Sequence, residues 1–159
     1  MLELKNDPET KIKELGLLLP QAPKPVASYI PTLIVSDLLF TSGNLPIKDG
    51  KIIYTGKMGD TNNPIDVGYE ASKLATLNSL SAAKETLGSL SKIKRVVKVT
   101  GFVNSSSGFT DQPKVINGAS DLLVSIFGEE YGKHVRSALG VSELPLNALV
   151  EIEFIYQLK

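Results

Sequence analysis

Residues 66–103, DVGYEASKLATLNSLSAAKETLGSLSKIKRVVKVTGFV, decide the fold. Val67, Ala71, Leu74, Leu77, Leu80, Ala83 and Leu87 recur at steps of three and four, which gathers them on one face of a long helix. Asp66 is placed to cap its start and Gly88 to stop it. The period then changes. Ile93 to Val103 carries Val96, Val97, Val99 and Phe102 and reads as one long strand. A Ser/Gly loop at 104–108 leads into a second helix, with Val115, Ala119, Leu122 and Ile126 on one face, Leu123 and Phe127 widening it, and Gly128 ending it. Two one-sided helices need a sheet face to cover, so the economical solution is an α+β two-layer sandwich.

The flanks supply the rest of that sheet. Upstream, Asp7-Pro8-Glu9-Thr10 with Ile12 and Leu15 reads as a short capped helix closed by Gly16. Leu17 to Pro31 holds four prolines and is expected to be extended. Leu33 to Leu45 reads as two strands turning at Ser36-Asp37, and Lys48-Asp49-Gly50-Lys51 as a hairpin turn leading into Ile52-Ile53-Tyr54. Downstream, His134 to Val141 reads as a strand, Leu144-Pro145 as a turn, and Val150 to Ile155 as the last strand. The order is ββ(β)-α-β-α-ββ.

Composition narrows the function classes. A chain of 159 residues, 42% hydrophobic and 21% charged, is one globular domain by length. Seventeen basic and seventeen acidic residues cancel, and the densest basic cluster (Lys92, Lys94, Arg95, Lys98) would be split between strand faces. No basic excess points to nucleic acid. The absence of cysteine excludes disulfides and thiolate metal sites, and one histidine cannot make a histidine cluster, although carboxylates alone can hold a hard cation. The start, Met1-Leu-Glu-Leu-Lys-Asn-Asp-Pro8, lacks the pattern of a signal peptide, and no apolar run has membrane-spanning length, so a cytoplasmic location is expected.

The candidate chemistry lies near the C-terminus. Strand alternation puts Arg136 on one face with Ala138 and Gly140, while Val135, Ser137, Leu139 and Val141 share the other. A guanidinium beside two small residues has room for a planar anion, which suggests a carboxylate pocket. The competing reading is a strand-edge arginine paired with Glu151 or Glu153, two acids that share a face and can equally be solvated. His134, alone of its kind, reads as structural.

Arg136-Ser137, Val141, Leu144-Pro145 and Glu151-Ile152-Glu153 together resemble the C-terminal signature of the reactive-intermediate deaminase family (RidA/YjgF, once called "endoribonuclease L-PSP"). Phe40-Thr41-Ser42-Gly43-Asn44-Leu45-Pro46 is similar to that family's TSG-(Q/N)-(I/L)-P strand, Tyr29 falls where the family has its N-terminal tyrosine, and Asn117 fits its helix asparagine. The resemblance implies residues 29–159 as one such domain after an N-terminal extension, 1–28, with its short helix. It implies a chorismate-mutase-like fold, a mixed sheet covered on one face by two helices, and homotrimers with sites at subunit interfaces. The implied activity is hydrolysis of enamine or imine intermediates to 2-oxo acids and ammonia, without a cofactor. Arg136 would anchor the substrate carboxylate and Glu151 would position the water, with Tyr29, Ser42, Gly43, Asn117 and Ala138 lining the substrate site.

The chain also departs from the pattern. Ser28-Tyr29-Ile30-Pro31 replaces the usual glycine-proline-tyrosine, and Ala138 stands where many members have cysteine, which excludes thiol chemistry there. The segment 48–64 is longer than the family's loop and is placed to reshape the pocket mouth. The rival class is a non-catalytic trimer that senses small carboxylates through the same arginine. Endoribonuclease activity fits poorly, because the chain has no paired histidines and no aromatic-rich RNA platform.

Overall fold

Asp7 opens the first helix as its sequence dictates, its carboxylate accepting the Thr10 backbone N–H at 2.9 Å, with Pro8 in the first turn. The computed structural model describes residues 7–22, 24 and 27–159. In chain order the elements are α1 (Pro8–Glu14), β1 (Thr32–Val35), β2 (Leu38–Thr41), β3 (Ile47–Lys48), β4 (Lys51–Ile52), α2 (Ile65–Leu87), β5 (Ile93–Asn104), α3 (Gln112–Gly132), β6 (Val135–Val141) and β7 (Val150–Leu158). Short 3-10 turns, Leu90–Lys92 and Pro145–Asn147, precede β5 and β7.

The described residues form a five-stranded sheet of order β1-β2-β7-β5-β6, with β3 and β4 as a separate hairpin turning on Asp49 and Gly50, both at positive φ. The β5–β6 pair is parallel and the other neighbours are antiparallel, so the sheet is mixed as expected. The crossover from β5 to β6 is α3, as a parallel pair requires. Helices α2 and α3 lie on one face. Val96, Val99, Val103, Ile152, Phe154 and Tyr156 of the sheet are sealed there against Ala71, Ala75, Leu80 and Ala83 of α2 and Val115, Ile116, Ala119 and Leu123 of α3. Ile12 carries α1 into the same core. The two long helices touch backbone to backbone: a methyl group on Gly118 would stand 2.0 Å from the Tyr69 carbonyl oxygen. The buried Tyr156 hydroxyl is satisfied by Ser79 at 3.0 Å.

Three boundaries differ from the sequence reading. The long helix starts at Ile65, with Pro64 in extended geometry at the N-cap, so Asp66 sits in the first turn rather than capping it; there its charge favours the helix N-terminus. Gly128 breaks α3 with non-helical angles, and a further turn then carries the chain to Gly132. The second strand stops at Thr41 rather than Leu45. Phe40 pairs with Ile155 and Asn44 next bridges to Ile152, four steps against three, so Ser42 and Gly43 form a bulge.

The long segment after β4 is fastened down. Thr55 bridges to Ala148 and Met58 to Ser105, with the Met58 side chain fully buried, at the ends of β7 and β5. The sheet's other face has no helical cover among the described residues. Its rows run Leu33–Phe40–Ile155–Lys98–Val135 and Glu151–Phe102–Leu139, and Leu33 and Val135 are 53% and 66% exposed.

Candidate functional site

Arg136 lies in a row with Val99 and Phe154, which turns it to the helix-covered face at the β6 edge of the sheet. Its partners there come from α3. Nη1 donates to Asn117 Oδ1 at 2.8 Å and to Ser120 Oγ at 3.1 Å. Nη1 has two hydrogens, so both are used, while Nη2 and Nε have no protein partner among the described residues. The expected neighbours Ala138 and Gly140 do share this face. The room beside them is partly taken, however. The Gln112 amide lies over Gly140, where a methyl group would come within 2.5 Å of Nε2, and Ala138 packs against the core.

Glu151 is elsewhere. It pairs with Phe102 on the open face, as Glu153 pairs with Thr100. The alternative of an ion pair between Arg136 and either acid is therefore excluded within a subunit: a sheet stands between them, and no salt bridge to Arg136 occurs among the described residues. Glu151 instead leans over the bulge, so close that a methyl group on Gly43 would be 2.0 Å from Oε1. Glycine is needed at this close approach. Burial, with the Glu153 charge adding to it, raises the Glu151 carboxyl above the ordinary carboxylate value. The Ser42 hydroxyl donates to the Ile30 carbonyl at 2.7 Å and its N–H to the Pro31 carbonyl at 2.8 Å, which brings the segment carrying the exposed Tyr29 alongside.

The site residues thus fall into two groups. Tyr29, Ser42, Gly43 and Glu151 gather around the bulge, while Asn117, Arg136 and Ala138 gather under α3. Asn117 touches the arginine and so orients it. Ser120 goes unread in the sequence, and His134 reads there only as structural. Ser120 follows Asn117 by three residues, the spacing that shares a helix face. His134 accompanies it, with Nε2 3.0 Å from Ser120 Oγ and Nδ1 2.7 Å from the Gly132 carbonyl. Among the described residues no cluster of three or more His, Asp or Glu stands ready for a metal, and no helix is long and apolar enough to cross a membrane.

With this geometry in view, the chain's relatives are informative. Protein TCP17 of Trypanosoma cruzi is 41% identical over 147 residues, which cover 92% of this chain and 91% of TCP17. A 2-iminobutanoate/2-iminopropanoate deaminase of Dermatophagoides farinae is 32% identical over 137 residues, 86% of this chain and 90% of the deaminase. The crystal structure of Atu1372, a protein of unknown function from Agrobacterium tumefaciens, is 43% identical and superposes with a TM-score of 0.88, covering 96% of this chain and 92% of Atu1372. Residues 9–158 match the family described as "YjgF/chorismate mutase-like, putative endoribonuclease". The mixed sheet, the two covering helices and the motifs on β2, α3, β6 and β7 belong together for that reason: the chain is a member of the YjgF/RidA family.

Proposed function

We propose that the protein hydrolyses reactive 2-imino acids, of the 2-iminobutanoate and 2-iminopropanoate type, to 2-oxo acids and ammonia, as a homotrimer with sites between subunits. The observation that carries this reading is the state of Arg136. One nitrogen is tied to α3 while the Nε and Nη2 edge keeps its hydrogens for a ligand. That edge matches a carboxylate with two parallel charge-assisted hydrogen bonds. The deaminase among the relatives supports the substrate class.

Glu151 supplies the complementary function. A carboxyl raised toward neutrality can take a proton from water and return it to nitrogen. Water adds to the C=N carbon as one of its protons passes to the nitrogen through Glu151. The carbinolamine then gives its hydroxyl proton by the same route to that nitrogen, so that the C–N bond breaks and ammonia leaves as the C=O bond forms. Ser42, the Gly43 backbone and Tyr29 orient the substrate beside it. Such imines already hydrolyse in water, so positioning and modest acid–base help suffice.

One subunit cannot present both groups to one substrate, because they occupy opposite faces of one sheet. Two subunits can, when the open face of one meets the Arg136 edge of the next. Leu33, Phe40, Val135 and Leu139 give that face the apolar surface that a lasting contact buries. Head-to-tail contact repeated three times closes a ring. RNA cleavage, the activity in the family's description, asks for phosphate-binding charge, whereas the 17 basic residues here are balanced by 17 acids.

The test is a coupled assay in which an amino-acid dehydratase or oxidase generates the imine and formation of the 2-oxo acid is followed. Arg136→Ala should abolish the acceleration with the fold intact. Arg136→Lys should be nearly as poor, since a point charge cannot replace the fork. Near-wild-type rates in either variant would remove Arg136 from the mechanism.

A further inference from the structure

We propose that Ser120 and His134 form a hydrogen-bond relay that sets the plane of the Arg136 guanidinium and so presents its free edge to the substrate carboxylate. The inference rests on the carboxylate-anchoring role proposed for Arg136 and adds two positioning residues to it. The direction of every bond in the chain follows from the chemistry of its atoms. The Gly132 carbonyl only accepts, so His134 Nδ1, 2.7 Å away, carries the ring hydrogen. In the neutral ring Nε2 is then an acceptor. Arg136 only donates, so its Nη1 gives a hydrogen to Ser120 Oγ at 3.1 Å. The one hydroxyl hydrogen of Ser120 is left for His134 Nε2 at 3.0 Å.

The chain runs from arginine to serine to histidine to a backbone carbonyl, and no member lacks a partner. Asn117 Oδ1 takes the second Nη1 hydrogen at 2.8 Å. Two bonds to one nitrogen, from acceptors three residues apart on a rigid helix, fix rotation of the guanidinium about its own axis. A charged imidazole would break this order, because Nε2 would become a donor and Ser120 would face two donors with its own hydrogen unplaced. Burial, aided by the Arg136 charge and opposed by the Gly132 bond, holds the His134 pKa below its ordinary value and keeps the ring neutral. His134 therefore has a positioning role that its isolation in the sequence did not suggest.

The single histidine makes the test direct. Nitrogen NMR of protein labelled at histidine with ¹⁵N reports one imidazole, which should carry its proton on Nδ1 and none on Nε2 at neutral pH. The opposite tautomer, or a charged ring, overturns the relay. Calorimetry with pyruvate then reads the consequence. Ser120→Ala and His134→Leu should each weaken pyruvate by about two- to tenfold, the range one hydrogen bond commands. The double variant should be no worse than Ser120→Ala alone, because both act through one chain. Ser120→Thr and His134→Gln, which keep a hydroxyl and an acceptor, should recover most of the affinity. Additive losses, or wild-type affinity in Ser120→Ala and His134→Leu while Arg136→Ala fails to bind, would overturn the relay and leave the anchor standing. Failure of the wild-type protein to bind pyruvate would overturn both.

Discussion

Gly43→Ala isolates the Glu151 carboxylate without touching it. Gly43 is not among the glycines at positive φ, so alanine brings no backbone strain. Its methyl group would nevertheless stand 2.0 Å from Glu151 Oε1, 2.8 Å from Cδ and 2.9 Å from Cγ. Ordinary contact begins at 3.4 Å, so the oxygen must retreat by about 1.4 Å. The obstacle is the end of a flexible side chain rather than backbone, and the retreat costs about 0.5–1.5 kcal/mol if a χ angle is pushed off its rotamer. Catalysis is less forgiving: a misplacement of about 1 Å in a reacting group can cost about 10²-fold. The coupled imine assay should therefore show a fall of that order in kcat, with the melting temperature lowered by only a few degrees. Gly43→Ala in a Glu151→Gln background should cost little more, because the group it displaces is already disabled. Wild-type turnover in Gly43→Ala, with a melt showing the fold unchanged, would refute the placement of Glu151 beside the attacking water.

Glu151→Gln should keep pyruvate binding by calorimetry while hydrolysis falls by roughly 10²- to 10⁴-fold, the loss expected of a general base; pyruvate binding with no wild-type turnover on any imine would instead favour the carboxylate sensor. The same variant carries a pH signature. Glu151 holds its proton more tightly when folded, so the stability it contributes is complete in acid and is lost as pH rises through its raised pKa. Thermal melts of Glu151→Gln, which cannot ionise, should show a gain over wild type at neutral pH that vanishes in acid. Gly118→Ala meets backbone rather than a side-chain tip, the Tyr69 carbonyl at 2.0 Å, so denaturant titration should show a loss of at least the roughly 1–3 kcal/mol typical of overpacking.

Periodicity made much of this fold legible. Of the three-and-four spacing from Val67 to Leu87, Ala71, Leu77, Leu80, Ala83 and Leu87 are buried, whereas Leu74 stays half-exposed outside the core and the small residues Ser72, Ala75 and Ser79 are buried beside them. Val115, Ala119, Leu122 and Ile126 mark the buried face of α3 as read. The 48–51 turn and the long strand after Leu90 were equally plain, since glycine conformation and β-branching are local properties. Alternation correctly grouped Arg136 with Ala138 and Gly140. It could not say which way that group points, because a period of two fixes relative faces and not absolute ones. The parallel register of β6 on β5 settles this, and only in three dimensions do Asn117 and Ser120 meet the arginine. The bulge at Ser42 and Gly43 was hidden for a similar reason: its one-residue offset exists only against β7.

The separation of Arg136 from Glu151 leads to a prediction that a one-subunit site could not satisfy. If each site takes its arginine from one subunit and its acid from the next, Arg136→Ala and Glu151→Gln damage different halves. Subunits carrying one lesion remain able to supply the other half. Mixed and reassembled in equal amounts, they place an intact acid beside an intact arginine at about one contact in four of a randomly closed ring. Activity should therefore return to about a quarter of wild type from two preparations that are each inactive. Light scattering of every preparation should give roughly three times the 17.1 kDa chain mass, so that recovery cannot be ascribed to altered assembly. Wild type mixed and reassembled with ¹⁵N-labelled wild type controls for subunit exchange, since assemblies of intermediate mass in native mass spectrometry appear wherever subunits exchange, whichever chain supplies the acid. With exchange shown by that control, no recovery from the single variants would mean that the arginine and the acid work from the same chain. The sheet between them excludes this in the fold described here, so that result would refute the interfacial site.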